Sequence, residues 1–208
     1  MKVSDNDFLI VVDVQNDFCR GGALAVPGGE KVVPAINRIA EKFQKVVLTQ
    51  DWHPRDHVSF ASNHAHKRPF EMIELGYGSQ VLWPDHCVQA TAGAGFHRML
   101  ETSRASLVLR KGMHRDIDSY SAFYENDRQT TTGLAGYLRE RGCGTLFFAG
   151  LAFDFCVRYS AEDARRAGFE AVVIEEATRG IDIDGSVAAT HHSFQSLAIR
   201  TVGIEALS

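Results

Sequence analysis

The amino-acid sequence predicts an α/β protein, a single-domain three-layer α/β/α sandwich with a mostly parallel sheet. Two observations lead to this fold class. Apolar runs too short for helices alternate with longer segments of helical period, the order of repeated β-α units. Several of the short runs are apolar at nearly every position, as strands are when helices cover both faces of a sheet. A length of 208 residues suits one core of this kind, so we predict one domain over 1–208.

The predicted strands are the short apolar runs, in which Val, Ile, Leu and Phe dominate. Branched and aromatic residues of this kind favour extended structure over a few consecutive positions. In chain order the runs are 8–14, 45–49, 106–110, 145–149, 171–175 and 200–203.

Four intervening segments have the apolar spacing of amphipathic helices. Glycines at 142 and 168 follow the second and third of them, and glycine is typical of the residue just past a helix end. The four predicted helices lie at 32–43, 134–138, 157–164 and 187–197.

The segment at about 50–105 departs from this regular alternation. It is rich in histidine, proline, glycine and aromatic residues, and it is too long for a plain connecting loop. We therefore predict that it is functional and supplies metal ligands and a lid over the site.

Composition excludes several function classes. The net charge is −4 and neither end carries a basic run, so nothing favours binding to nucleic acid or to an anionic membrane. The first apolar run is interrupted by Asp13, and the sequence shows no export signal or membrane span. We expect a cytoplasmic protein with a small-molecule partner, whose four scattered cysteines include a free thiol.

Four reactive side chains follow the predicted strands at one edge of the sheet. Asp13 lies near the end of the first strand, Asp51 and Lys111 just past the second and third, and Cys156 beyond the fourth. Ligands of open parallel sheets bind at this edge. Each residue alone has a plainer interpretation: Asp13 as a turn residue, Lys111 as a solvated lysine, Cys156 as a core thiol. Together they predict a nucleophile, Cys156, with Lys111 favouring its thiolate and Asp13 taking its proton.

The surroundings of Cys156 add to this prediction. It lies where a strand passes into a helix, so exposed N–H groups and the helix dipole are expected to favour the thiolate. The N–H groups around Ala152 and Cys156 are predicted to form an oxyanion hole. We expect Asp154 to cap the helix rather than take part in catalysis.

A second constellation predicts a metal site. Residues two apart in an extended segment point the same way, so Asp51 and His53 can reach one ion and His86 can complete the set. Asp-x-His alone is a weak indication of a metal site. The prediction rests mainly on the position of Asp51 at the ligand-binding edge of the sheet. One divalent ion is expected, and zinc, manganese and iron all suit this N/O ligand set.

Aromatic residues surround both constellations and would suit a flat aromatic substrate, although each also fits a packing role. They are Phe18, Trp83, Tyr120 and Phe123.

Two other protein classes share part of this pattern. A phosphorylation switch of the receiver type also gathers aspartates and a lysine around a divalent ion at the edge of a parallel sheet. However, 208 residues is long for such a module, and Cys156 has no role in one. A dinucleotide-binding module is disfavoured because no GxGxxG follows the first strand.

Five segments of the sequence resemble a known family. They are VVDVQNDFCRGGALAVPGG at 11–29, TQDWHPRDHVSFA at 49–61, WPDHCVQATAGAGFH at 83–97, LRKGMHRDIDSYSAF at 109–123 and GLAFDFCV at 150–157. In this order they resemble the nicotinamidases among the isochorismatase-like cysteine hydrolases. The resemblance implies an α/β/α sandwich and hydrolysis of nicotinamide, and also of pyrazinamide, to the acid and ammonia through a cysteine thioester.

The resemblance also implies roles for individual residues. It implies an Asp-Lys-Cys triad at Asp13, Lys111 and Cys156, and a cis peptide between 151 and 152 that forms the oxyanion hole. The implied metal, with zinc first among the candidates, lies at Asp51, His53 and His86, and His57 matches a ligand that only some members use. The implied ring-binding positions are Phe18, Leu24, Trp83, Tyr120 and Phe123.

The chain departs from compact members of the family in one region. Residues 58–82 separate His57 from Trp83, which leaves open whether His57 reaches the metal and which residues form the lid. Members that hydrolyse isochorismate lack the cysteine, so Cys156 favours an amidase. The alternative is a related amidase acting on another small carboxamide or carbamoyl compound. Oligomeric state stays open, and a homo-oligomer is compatible with the sequence.

Overall fold

The computed structural model describes residues 1–207. Within that range the chain forms eight strands and four α-helices, joined by turns and short 3-10 segments. In chain order these elements are β1 (Phe8–Val12), α1 (Val32–Ala40), β2 (Lys45–Asp51), β3 (Met72–Leu75), β4 (Gly78–Val81), β5 (Ala105–Lys111), α2 (Leu134–Glu140), β6 (Thr145–Leu151), α3 (Arg158–Arg166), β7 (Glu170–Arg179), α4 (Ser186–Ser196) and β8 (Arg200–Val202).

The main sheet has six strands in the order β5-β2-β1-β6-β7-β8, and neighbouring strands pair in parallel. Along β1, alternate side chains enter different cores because successive residues of a strand point to opposite faces. Leu9 and Val11 pack on the face covered by α1, whereas Phe8 and Ile10 pack on the face covered by α2, α3 and α4. The predicted three-layer α/β/α fold is confirmed. Burying each such side chain stabilises the fold by about 1.5–3 kcal/mol.

The strand order places a topological switch point between β1 and β6. From β1 the chain proceeds to β2 and β5 on one side, and from β6 to β7 and β8 on the other. The connections on the two sides therefore diverge and leave a crevice outside the carboxyl ends of β1 and β6, where ligands of such sheets bind.

Four strands, β2, β5, β6 and β7, extend further than the apolar pattern predicts. Asp51 and Lys111 are the last residues of β2 and β5 and face one another in the register of that strand pair, rather than lying just past the strands. The apolar runs in the sequence end where polar side chains begin, but the backbone hydrogen bonds between β2 and β5 continue through these polar residues. This pairing brings the two charged side chains together.

The irregular segment contains an antiparallel hairpin, β3–β4, which forms its own two-stranded sheet. Its apolar alternation is weak, since most of its residues are exposed or half-buried, and the sequence therefore does not reveal it. Residues 1–207 contain no helix with the length and hydrophobicity that crossing a membrane requires.

Candidate active site

Asp13 is the first residue after β1 and is completely buried. Its backbone has a φ of 47°, a left-handed conformation that aspartate adopts more readily than most residues. The Thr49 hydroxyl donates to Asp13 Oδ1 at 2.6 Å, and the Asp13 N–H donates to Thr49 Oγ1 at 3.1 Å. Burial raises the pKa of Asp13 despite the opposing charge of Lys111, which suits a carboxylate that accepts a proton.

Lys111 connects the two predicted constellations. Its Nζ lies 2.9 Å from Asp13 Oδ2, contacts the Asp51 carboxylate and is 3.5 Å from Cys156 Sγ. It also donates to the Ser119 carbonyl at 2.9 Å. Burial would lower the pKa of Lys111, but the Asp13 and Asp51 charges outweigh it and hold the pKa well above the usual value. The side chain is therefore a fixed ammonium between two carboxylates.

Cys156 lies in a π-helical turn, Phe153–Val157, between β6 and α3. Its Sγ is within 4.8 Å of a carboxylate oxygen of Asp13. Burial raises the pKa of the Cys156 thiol well above its usual value, and Lys111 offsets this only in part. Burial therefore opposes the expected stabilisation of a thiolate at the helix start. Desolvation outweighs the nearby ammonium, so a base beside the thiol assists its ionisation.

Asp154 has a different role from the predicted helix cap. Its carboxylate accepts N–H bonds from Ile181 at 3.0 Å and Asp182 at 2.7 Å, and a hydroxyl bond from Ser186 at 2.5 Å. The turn that contains it has no side-chain cap hydrogen bond. The prediction that Asp154 caps the helix is wrong, because these distant donors, brought close by the fold, bind its oxygens. Asp154 instead holds the loop after β7 beside the turn of Cys156.

Asp51, His53 and His86 form a buried group whose ligand atoms lie within 4.8 Å of one another. Nδ1 of His53 is 2.8 Å from the Gly112 carbonyl, and Nδ1 of His86 is 2.8 Å from the Pro84 carbonyl. Because a carbonyl only accepts, each Nδ1 must donate, which leaves each Nε2 with a lone pair available to a metal when the rings are neutral. Nε2 of His53 lies 3.6 Å from Oδ2 of Asp51, the proposed co-ligand. Burial and the neighbouring His53 lower the pKa of His86 to about 4, which keeps its ring neutral.

This arrangement fits a divalent metal ion. One carboxylate and two oriented imidazoles are an N/O donor set for zinc, manganese or iron. Glycine at 112 is part of the arrangement, since a Cβ there would lie 2.3 Å from the His53 ring.

His57 is close to this group but engaged elsewhere. Its ring centroid is 4.2 Å from that of His53. However, Nδ1 is 2.7 Å from Ser59 Oγ and Nε2 is 3.3 Å from the Ile117 carbonyl. His57 groups with His53 and Asp118, and not with Asp51 and His86. Both of its ring nitrogens thus have protein partners.

A pocket opens above Cys156 at the predicted ligand edge. Four of the five predicted ring-binding residues line it, together with Ala152 and the three metal-group residues. These four are Phe18, Leu24, Trp83 and Tyr120. The peptide bond between Leu151 and Ala152 is cis, as the family resemblance predicts.

Phe123 is the exception among the predicted ring-binding residues. Among residues 1–207, the pocket lining does not include Phe123. Its ring lies in the core under α2–α4, where the centroids of the Phe123 and Phe169 rings are 6.0 Å apart. Closeness to Tyr120 in sequence suggested a pocket role, but the backbone turns Phe123 into the core.

Three lining residues are additional to the predicted set: Asp118, Phe155 and Ile181. Ile181 follows the carboxyl end of β7, but the predicted strand ends at 175, so the strand-edge rule does not reach it. Phe155 is adjacent to Cys156, and Asp118 belongs to the segment at 109–123. No local pattern distinguishes these two residues from loop residues.

The Isochorismatase domain model matches residues 7–202 of the chain. The chain belongs to the isochorismatase family. Within that family, a nicotinamidase of Acinetobacter baylyi is 53% identical over 197 residues, which cover 95% of this chain and 91% of the relative. The resemblance seen in the sequence is confirmed at the level of the family.

Solved structures of the isochorismatase family agree with the fold. A nicotinamidase pyrazinamidase of Acinetobacter baumanii has a TM-score of 0.97 and 51% identity, with 98% of each chain covered. A pyrazinamidase of Pyrococcus horikoshii in complex with zinc has a TM-score of 0.77 and 34% identity, covering 95% of this chain and 99% of that one. With relatives this similar over nearly the whole chain, the protein is an amidohydrolase.

Proposed function

We propose that this protein hydrolyses nicotinamide to nicotinate and ammonia through a thioester on Cys156. The observation that carries the proposal is the position of Cys156, which lines a pocket with aromatic walls, contacts Lys111 and lies within 4.8 Å of an Asp13 oxygen. A thiol, a carboxylate and an ammonium in one buried cluster are the groups that amide cleavage by a covalent route requires. The names of the similar proteins support the choice of substrate.

In this mechanism Asp13 moves the protons. It takes the proton of the Cys156 thiol, whose raised pKa makes a base necessary, and the thiolate attacks the amide carbon. The C–N bond then breaks, Asp13 delivers its proton to the leaving nitrogen, and ammonia departs from a thioester. Asp13 next deprotonates a water that attacks this thioester, and it returns that proton to the departing sulfur.

Lys111 and two backbone N–H groups stabilise the charges of these steps. The Lys111 ammonium faces both Asp13 and Cys156 and stays protonated throughout. We assign the N–H groups of Ala152 and Cys156, both pocket-lining residues, to the oxyanion of the tetrahedral intermediate.

Asp51, His53 and His86 are the proposed ligands of one divalent metal ion, with zinc as the first candidate. The zinc complex of the Pyrococcus relative supports this choice, as do the Nδ1 contacts of both rings, which turn each Nε2 lone pair toward the metal group. When bound, the ion supplies a Lewis-acid contact for the nitrogen of the substrate ring. Phe18, Leu24, Trp83 and Tyr120 enclose that ring on its apolar faces.

The proposed function is tested by ammonia release from nicotinamide and from benzamide, which lacks the ring nitrogen. We expect turnover of nicotinamide, a rate for benzamide lower by about tenfold or more, and loss of activity on chelation that added zinc or manganese restores. Equal rates for both amides, unaffected by chelation, would instead support the alternative amidase without a metal requirement.

The metal ligands are tested by a pair of matched variants. His86→Gln is expected to weaken metal binding by roughly a hundredfold or more, because it removes a free Nε2 donor. His57→Gln should leave the metal content within about twofold of the wild type, because both ring nitrogens already have protein partners. Elemental analysis after dialysis at limiting metal measures both. Equal metal loss in the two variants would make His57 a ligand.

Further predictions from the sequence complete this proposal. We propose that pyrazinamide is also a substrate, that the reaction serves NAD salvage, and that it takes place in the cytoplasm. The single domain over 1–208 and the lid function of the segment at 50–105 also stay predictions. A homo-oligomer remains compatible with the chain.

A further inference from the structure

Gln80 is a buried polar residue whose contacts point into the active-site wall. It belongs to β4 of the hairpin, within the segment 58–82, and is 1% exposed. Its neighbour Ser79 is exposed, as strand alternation requires, so the hairpin presents one face to the protein and one to solvent. A buried amide of this kind must find hydrogen-bond partners.

The amide nitrogen of Gln80 contacts two residues of the pocket lining. Nε2 lies 2.7 Å from Oδ2 of Asp118 and 3.0 Å from the hydroxyl of Tyr120. It is also 2.7 Å from the carbonyl of Val81, so the two hydrogens of the amide are shared among three acceptors. The Asp118 carboxylate and the Val81 carbonyl only accept, so the nitrogen and not the oxygen of the amide must face them.

The amide oxygen of Gln80 is anchored on the opposite side. It accepts from the Tyr77 hydroxyl at 3.1 Å and from the Asn126 amide at 3.2 Å. The Tyr77 oxygen in turn accepts the N–H of Asp118 at 3.3 Å. The Gln80 side chain is thus held at both ends, and it links the hairpin to the segment after β5.

These contacts orient side chains on the pocket wall. Oδ1 of Asp118 accepts a hydrogen bond from the Ser119 N–H at 2.8 Å, and Oδ2 accepts one from the Gln80 amide. The Tyr120 hydroxyl accepts from Gln80 and, at 3.2 Å, from the Trp83 indole N–H. Removing the Gln80 amide would leave the Asp118 oxygen without this donor and release one of the two bonds that fix Tyr120.

We propose that Gln80 is a positioning residue that fixes Asp118 and Tyr120 in the wall holding the substrate ring. This inference rests on the proposed function, and it gives the hairpin a part in substrate affinity. Gln80 has no hydrogen bond to Asp13, Lys111 or Cys156 among the described residues, so it acts on the wall and leaves the reacting groups in place.

The test is the kinetics of Gln80→Met, which keeps the length of the side chain and removes its amide. We expect the KM for nicotinamide to rise about tenfold, while kcat stays within about threefold and the metal content is unchanged. Tyr77→Phe, which removes one anchor of Gln80, should raise KM in the same direction by a smaller factor. Ser79→Ala, on the exposed face of the same strand, is the matched control and should keep the wild-type KM.

Direct binding separates affinity from chemistry. In a Cys156→Ala background, calorimetry should show nicotinamide binding about tenfold weaker when Gln80→Met is added. An unchanged KM in Gln80→Met overturns the proposal, whether or not kcat or the metal content falls. If Gln80→Met does not fold, Tyr77→Phe decides in the same way. Wild-type turnover of nicotinamide is measured first, because its absence would contradict the proposed function rather than the role of Gln80.

Discussion

Cys156→Ala is expected to reduce ammonia release from nicotinamide by about a thousandfold or more, because the proposed covalent route loses its nucleophile. The metal content should equal that of the wild type, since Sγ is not one of the proposed ligands. The fold should also be retained, because the change removes a single buried sulfur beside Lys111. Steady-state ammonia assays and elemental analysis of the same preparation measure both quantities.

Cys143→Ala is the matched control for this variant. Cys143 lies between α2 and β6, away from the carboxyl edge of the sheet, and its thiol is half-buried. Its removal should leave turnover within about twofold of the wild type. Appreciable turnover by Cys156→Ala would rule out the thioester and leave direct attack by water.

Lys111→Met is expected to reduce both activity and stability. The methionine keeps an apolar stem but removes the ammonium between Asp13 and Asp51. Breaking a buried charge pair by removing one partner costs about 3–5 kcal/mol, because an uncompensated charge remains. We expect kcat to fall by about a thousandfold, since Asp13 and the reacting sulfur lose their cation. Urea unfolding of the metal-free protein measures the stability loss.

Lys67→Met provides the comparison for Lys111→Met. Lys67 pairs with Glu71 at 3.3 Å, and both side chains are exposed. An exposed pair contributes at most about 1 kcal/mol, so this variant should retain its stability and turnover. An unchanged free energy of unfolding in Lys111→Met would mean that the ammonium does not compensate the two carboxylates.

The sequence predicts much of the site because strand ends are visible in it. Asp13, Lys111 and Cys156 follow apolar runs, and the parallel-sheet rule brings the ends of those runs together. The structure confirms that the three side chains meet. The order of the strands is not readable from the runs, since it depends on packing between distant segments, and it places β1 and β6 side by side.

The sequence fails where a side chain depends on distant partners. Aspartate is a common N-cap residue, yet the carboxylate oxygens of Asp154 accept hydrogen bonds from the loop at 181–186. Phe123 is close to the pocket in sequence but packs in the core. The raised pKa of the Cys156 thiol follows from burial, which no local motif reports. These outcomes are tertiary, and local spacing does not encode them.

The proposed contacts that position the substrate and the proposed catalytic residues belong to different parts of the fold, and the hairpin β3–β4 supplies the former. It forms its own sheet and contacts two pocket-lining residues, Asp118 and Tyr120, through Gln80. Asp13, Lys111 and Cys156 belong to the central strands and to the turns that follow them. If Gln80 has the proposed role, a change in the hairpin sequence is expected to alter the pocket wall while the central strands keep Asp13, Lys111 and Cys156 in place. For protein engineering, we expect that substitutions in this hairpin can change which amides the pocket accepts while the central sheet and its catalytic residues stay the same.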